Sequence, residues 1–295
     1  MKNDMHIFDL NAVRRNRERA MRGDANFLHD WCLGNVKERL AVIKREFDTA
    51  LISGARDSFN HEKIGHTIHL DLSQKTLPAQ NAHPAHLICD EETLPLRMNS
   101  VDALIDILSL HTKNDLPGTL IQINRALKPD GLFIGTLFGG ETLFELRKSL
   151  THAEMQCRNG ARPRVYPFVD KQQMGALMQR AGFALPVIDS ELITVSYSDM
   201  FSLMRDVRHM GEASALHDRT KSFTGRDIFM TAAEYYHNTF AETDGRIPAT
   251  FEIIFVLGWS PHESQQQPLK PGSAEVRLAD LLNTTEITTG EKAKP

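Results

Sequence analysis

Four short polar stretches hold the side chains best suited to chemistry: Gly54-Ala55-Arg56-Asp57-Ser58, Asp71, Asp90-Glu91-Glu92 and Ser109-Leu110-His111. Each follows an apolar run. A loop that brings its backbone against a ligand needs glycine, because a Cβ would otherwise stand in the way. Gly54 is the single glycine of the first stretch. Asp71 can accept two hydrogen bonds from a vicinal diol such as a ribose, and can equally serve as a turn or cap residue. Asp90 and Glu91 offer further acceptors for a polar group, or else begin a solvated acidic loop. His111 titrates at about 6.5 when unperturbed, so it could position or deprotonate a bound substrate. It is one of 13 histidines, and chance placement is the competing reading.

The runs that would position these residues are 47–53, 64–70, 85–89, 101–108 and 132–137. They are separated by turns or helical segments, which predicts a doubly wound, mostly parallel α/β sheet with ligands bound beyond the carboxyl ends of the strands. Residues 118–140, GTLIQINRALKPDGLFIGTLFGG, show the pattern most fully. Leu120, Ile121, Ile123 and Leu127 make an apolar helical stripe, Lys128 and Pro129 stop it, Asp130-Gly131 turns the chain, and Leu132 to Leu137 reads as a strand covered on both faces. Gly139-Gly140 then permits a tight passage into a helix over 141–159, where Glu141 suits the positive end of the helix dipole.

Upstream, the first 23 residues carry six Lys or Arg against three Asp or Glu, with Arg14, Arg15, Arg17, Arg19 and Arg22 close together. Two readings stand for residues 1–45: a solvated basic helical arm, or a contact for an anionic or acidic protein partner. Downstream, 171–181, 199–210 and 226–240 read as helices, and Val187–Val195 and Thr250–Trp259 as strands. The expected organisation is an arm over 1–45, a catalytic-type domain over 46–260 with a helical insertion over about 197–245, and an extended or disordered tail over 261–295.

Composition excludes little else. In 295 residues, 41% are apolar and the net charge is -4, so a full core is affordable and nothing demands nucleic acid as the partner. Cys32, Cys89 and Cys157 show neither disulfide nor zinc spacing, and no metal site is expected. The longest apolar runs are too short to cross a membrane, which favours a cytoplasmic location.

The block Leu127-Lys128-Pro129-Asp130-Gly131 with its following strand resembles class I S-adenosylmethionine (SAM) dependent methyltransferases. MHIFDLNAVRRNRERA, FLHD, FDTALISG, residues 90–150, RAGF, YSDMFSLMRDVRHMGE and IPATFEIIFVLGW extend that likeness over about residues 5 to 276. Together they closely resemble the methyltransferase-like respiratory complex I assembly factors of the arginine-hydroxylase type. More loosely they resemble malonyl carrier-protein methyltransferases of biotin synthesis. The resemblance implies a seven-stranded Rossmann-like sheet, SAM as cofactor, and a protein substrate or respiratory complex subunit as partner, peripheral to the inner membrane. It implies that Gly54, Asp71, Asp90, Glu91 and Leu110 face the cofactor and that His111 serves catalysis. Three positions depart from the family's loop: Ile52 stands for the usual acid, and Arg56 and Ser58 for glycines. Three functions therefore stay open: methyl transfer through an altered loop, hydroxylation of a protein arginine, for which no two-His-one-carboxylate iron spacing is recognisable, and a cofactor-free assembly factor or pseudoenzyme.

Overall fold

The computed structural model describes residues 6–23, 25–77, 85–158, 160–220, 223–266, 276 and 278–285. Seven strands lie side by side: β1 (Phe47–Ser53), β2 (Ile64–Asp71), β3 (Ala85–Ile88), β4 (Val101–Ile107), β5 (Leu127–Phe138), β6 (Ala184–Tyr197) and β7 (Ile247–Trp259). Their spatial order is β3-β2-β1-β4-β5-β7-β6. The pairs from β3 through β5 are parallel, while β7 runs antiparallel to both β5 and β6. The order reverses between β1 and β4, and at such a switch point the carboxyl ends diverge and leave a crevice.

Helices cover both faces. On one side lie α2 (Phe27–Val42), α4 (Phe144–Arg158), α6 (Met200–His209) and α7 (Arg226–Phe240), packed on Ile52, Ile105, Ile134 and Phe255. On the other lie α3 (Leu116–Ala126) and α5 (Lys171–Arg180), packed on Leu51, Leu104, Phe133 and Val256. Successive residues of a strand face opposite ways, so a centre buried on both sides is mostly apolar. Every residue of β4 is buried, its two acids included: Asp102 pairs with Lys128 and Asp106 accepts from Ser109.

Some expected boundaries move. Strand β5 begins at Leu127 rather than Leu132, because Asp130 adopts a left-handed φ of 61° within a shifted register against β4 and the expected turn becomes an irregularity inside the strand. Helix α4 starts at Phe144 rather than Glu141: Leu143 has φ 53°, and the Glu141 amide donates to Glu252 instead of opening a helix.

The largest difference lies at the basic arm. Helix α1 (Leu10–Ala20) is not a solvated arm. Ala12, Val13, Asn16 and Ala20 are buried, and Phe8, Ala12 and Val13 form a cluster with Tyr166, Ala215 and Leu216. Asp9 caps the helix by accepting from the Ala12 amide and is held by Arg219 at 2.8 Å. The apolar positions missed in sequence reading are small residues, whose stripe is obscured by five arginines.

Residues 1–261 form one compact unit and 262–295 another. Of the second, the short helix α8 (Leu278–Leu281) is described, and 267–275, 277 and 286–295, where most of the expected disordered tail falls, lie outside the described residues. Among the described residues, no helix is long and apolar enough to cross a membrane.

Candidate functional site

Strand β1 ends at Gly54, which needs to be glycine: its φ is +72°, and a Cβ there would strike the Ile107 carbonyl at the end of β4. The Gly54 carbonyl accepts a hydrogen bond from His29 Nε2 of α2 at 3.0 Å. Burial, then the nearby Arg56 charge, lowers the His29 pKa to about 4, so the ring is neutral and donates.

Arg56 fills space that a glycine would leave open. Its guanidinium donates to Asn26 Oδ1 at 2.8 Å and to the Met210 carbonyl. Burial lowers its pKa, partly offset by Glu212. Ile52 is fully buried in the core and offers a ligand nothing, and Ser58 is exposed on the loop.

The acidic residues beyond β2 and β3 already have cationic partners from the same chain. Arg17 of α1 reaches into the strand exits and grips Glu91 with two bonds, at 2.7 and 3.1 Å, while lying 3.6 Å from Asp71. The Lys113 ammonium contacts the second Glu91 oxygen, and Ser53 Oγ donates to the first at 3.3 Å. Both the Glu91 and Lys113 side chains are 3% exposed. Burial, then the like charge of Arg17, pulls the Lys113 pKa well below the ordinary lysine value. Asp71 keeps Oδ2 toward Arg17, but its Oδ1 is buried with no hydrogen-bond partner.

The other expected site residues are placed differently from one another. Asp90 accepts from the Glu92 amide at 2.9 Å, as a turn residue does. Leu110 is 1% exposed in the second core cluster. His111 is buried, with Nε2 2.9 Å from Glu212 Oε2, its ring edge-on to Phe138, and Nδ1 lacking a partner. Burial pushes the Glu212 carboxyl up, but His111, Arg56 and Arg17 together outweigh it and the net shift is downward. Glu212 is therefore ionised at neutral pH.

Two spaces meet at Glu212. The crevice at the switch point, among Arg17, Gly54, Arg56, Asp71, Leu108 and Glu212, measures about 20 Å³, roughly the room of a single water. On the other side is a cavity of about 370 Å³ between the β5 exit, α4, α6 and the 162–168 segment, walled by Phe138, Leu146, Phe168, Met204 and Phe251, among others. Tyr166 stands between them, donating to the Ala213 carbonyl at 2.7 Å. Ser214, on the cavity wall, has a buried hydroxyl with no partner. Among the described residues, no group of three or more His, Cys, Asp or Glu is disposed to hold a metal ion.

Of the site residues singled out in the sequence, Gly54 and Asp71 line the crevice and His111 reaches it only through Glu212; Arg17, His29 and Glu212, which also line it, and Lys113 beside Glu91 were not among them. Arg17 was hidden among other arginines. Glu212 lies 101 residues from its partner His111, and only its place in the YSDMFSLMRDVRHMGE segment marked it.

A sequence model of the methyltransferase domain matches residues 52–135. Arginine-hydroxylase NDUFAF5, mitochondrial, of Danio rerio is 36% identical over 299 residues, covering 97% of this chain and 93% of the relative. A malonyl-[acyl-carrier protein] O-methyltransferase of Xylella fastidiosa is 36% identical over 172 residues, covering 58% of this chain and 56% of that one. The crystal structure of the YcgJ protein from Bacillus subtilis superposes with a TM-score of 0.52 at 14% identity, over 79% of this chain and 99% of that one, which shows the shared fold.

Proposed function

The chain belongs to the NDUFAF5 arginine-hydroxylase family and has the class I methyltransferase fold, and from that premise we propose that it is a respiratory complex I assembly factor that works by holding a partner subunit. The single observation that carries this reading is the contrast at Glu212. The crevice where the fold family receives an adenosine is closed by Arg17 and Arg56 to about 20 Å³, whereas the neighbouring cavity offers about 370 Å³. Ligand pockets for organic molecules run to roughly 300–1,000 Å³, so the second space alone is of useful size.

SAM does not fit the crevice as folded. Arg17 takes the Glu91 carboxylate and lies 3.6 Å from Asp71, the acceptor a ribose would need, and the arginine cannot be neutralised to make way. We accordingly propose a SAM-free role, with the cavity receiving an apolar or aromatic side chain of the partner. A cytoplasmic site of action peripheral to the inner membrane belongs to the same proposal.

One observation favours a second reading. The partnerless Asp71 Oδ1 is the kind of acceptor a ribose hydroxyl would satisfy. If α1 withdraws, the crevice becomes a SAM site and the protein a methyltransferase with a gated cofactor.

Capture from native membranes tests the proposal. Full-length protein should retain complex I subunits, and Met204→Trp, which fills the cavity from α6, should lose at least tenfold of that capture while folding normally. Equal capture by the variant would remove the cavity from the function.

A further inference from the structure

A second cluster of charge lies where the C-terminal ends of α1 and α6 meet, sharing only Arg208 with the larger cavity. Arg19 and Arg22 from the first, and Arg205, Arg208 and His209 from the second, line an open cleft of about 450 Å³. The two chain segments are locked together at close range. A Cβ on Gly23 would lie 2.9 Å from the His209 carbonyl oxygen, and one on Gly211, whose φ is +84°, would lie 3.0 Å from both Ala20 Cβ and the Asn16 carbonyl oxygen. Neither helix end can slide away to relieve the crowding of charge.

Basic residues in the last turn of a helix suit its negative end, each contributing about 0.3–1 kcal/mol. That accounts for Arg19, Arg208 and His209, which occupy such positions. It does not account for Arg22, which lies past the end of α1, or Arg205, in the middle of α6, both turned to the same cleft. Among the described residues neither Arg22 nor Arg208 has an acidic partner, while Arg19 bonds only Asn16 and Arg205 only Ser202. Burial, then the Arg208 and Arg15 charges, lowers the Arg19 pKa, as mutual repulsion requires. Among the described residues, four guanidiniums line one cleft with no carboxylate bonded to any of them, which makes the cleft a receptor for negative charge. Their planar forks match an oxyanion bidentately.

We infer that this cleft is a binding site for a multiply charged oxyanion of the phosphate type, carried either on a small soluble molecule or on a lipid headgroup. The chain's net charge of -4 gives it no general affinity for anions, so attraction must be local to this place.

The test is calorimetric titration of the full chain with inorganic pyrophosphate at low and at physiological ionic strength, alongside flotation with vesicles of phosphatidic acid in phosphatidylcholine and of phosphatidylcholine alone. Saturable pyrophosphate binding that weakens with salt, and falls at least tenfold in Arg22→Glu with Arg205→Glu, is the expected result. Binding to the acidic vesicles that pyrophosphate competes away assigns the lipid source, and pyrophosphate binding without flotation assigns the soluble one. Loss of like-charge repulsion should leave the ligand-free melting temperature of the variant equal or higher. If that double variant does not fold, Arg205→Gln alone should still weaken binding. Absence of saturable binding at millimolar pyrophosphate, or equal binding by the folded variants, overturns the inference.

Discussion

The crevice and the cavity on either side of Glu212 were built from the same sheet and have opposite characters. In the crevice, charge is dense and satisfied within the chain: Arg17 and Arg56 line a space of about 20 Å³, and beside it Arg17 and Lys113 close on Glu91. In the cavity, aromatic and aliphatic walls are joined by Arg162, Arg164, Arg208, Arg219 and Glu212, and about 370 Å³ stays open. The difference teaches that a fold can keep its strand exits while transferring their use. On the proposed reading, side chains at the strand exits meet each other instead of a cofactor, and the larger space lies where α6 and the 162–168 segment stand off the sheet.

If that contrast is right, changes in the crevice should cost stability and changes in the cavity should cost binding. The largest effect is expected from Glu91→Ala, which strands Arg17 and Lys113 in a buried setting. Breaking such a cluster by removing one member costs about 3–5 kcal/mol, readable as a drop in the urea midpoint. A loss below about 1 kcal/mol would mean that the crevice is wet and open.

Acid should come next. His29 has a folded pKa of about 4 against an ordinary 6.5, so between those values the unfolded chain binds more protons than the folded one. Stability from this group is complete above about 6.5 and is lost as pH falls toward 4. The difference corresponds to about 3 kcal/mol. His69, also lowered to about 4 by burial and then by His86, adds loss in the same window, and the depressed Glu212 adds more as pH drops through the carboxylate range. Denaturant melts of His29→Gln should show a visibly shallower pH dependence than the parent. An unchanged slope would show that His29 is not the buried neutral donor to Gly54.

Gly54→Ala should cost about 1–3 kcal/mol from the left-handed backbone alone, with more from the clash against Ile107. An alanine variant of unaltered stability would contradict the close approach of β1 and β4 that shapes the crevice. Smallest of all should be Met204→Trp, which enters open space in the cavity and should shift stability by less than about 1 kcal/mol. A large loss there would mean that the cavity is too tight to admit a partner.

The sheet was legible in the sequence for a physical reason. Strands such as 101–107 and 132–137 are buried on both faces, and runs that are mostly apolar, broken only by Asp102, Asp106 and Thr136, say so. Helix α3 announced itself through Leu120 and Ile123, both buried. The site was legible only where local backbone demanded it, as at Gly54. Arg17 and Glu91 are 74 residues apart, and His111 and Glu212 are 101 apart. Neither pairing leaves a periodic trace. The arm misled because the residues by which α1 packs, Ala12, Val13, Asn16 and Ala20, are small or polar and look solvated beside so much arginine. At the two positions expected to depart from a glycine loop, Arg56 bonds Asn26 and Ser58 is exposed, a difference that residue type alone does not announce.

The most direct measurement is isothermal titration of the native chain with SAM and S-adenosylhomocysteine, repeated on Arg17→Ala. With the crevice closed by its own cations, the native protein should show no saturable heat with either ligand at millimolar concentration and no rise in melting temperature. Saturable binding to the native chain, with the roughly 2.7 kcal/mol of stabilisation expected at one hundred times the dissociation constant, would contradict the account and make α1 a gate that a cofactor opens.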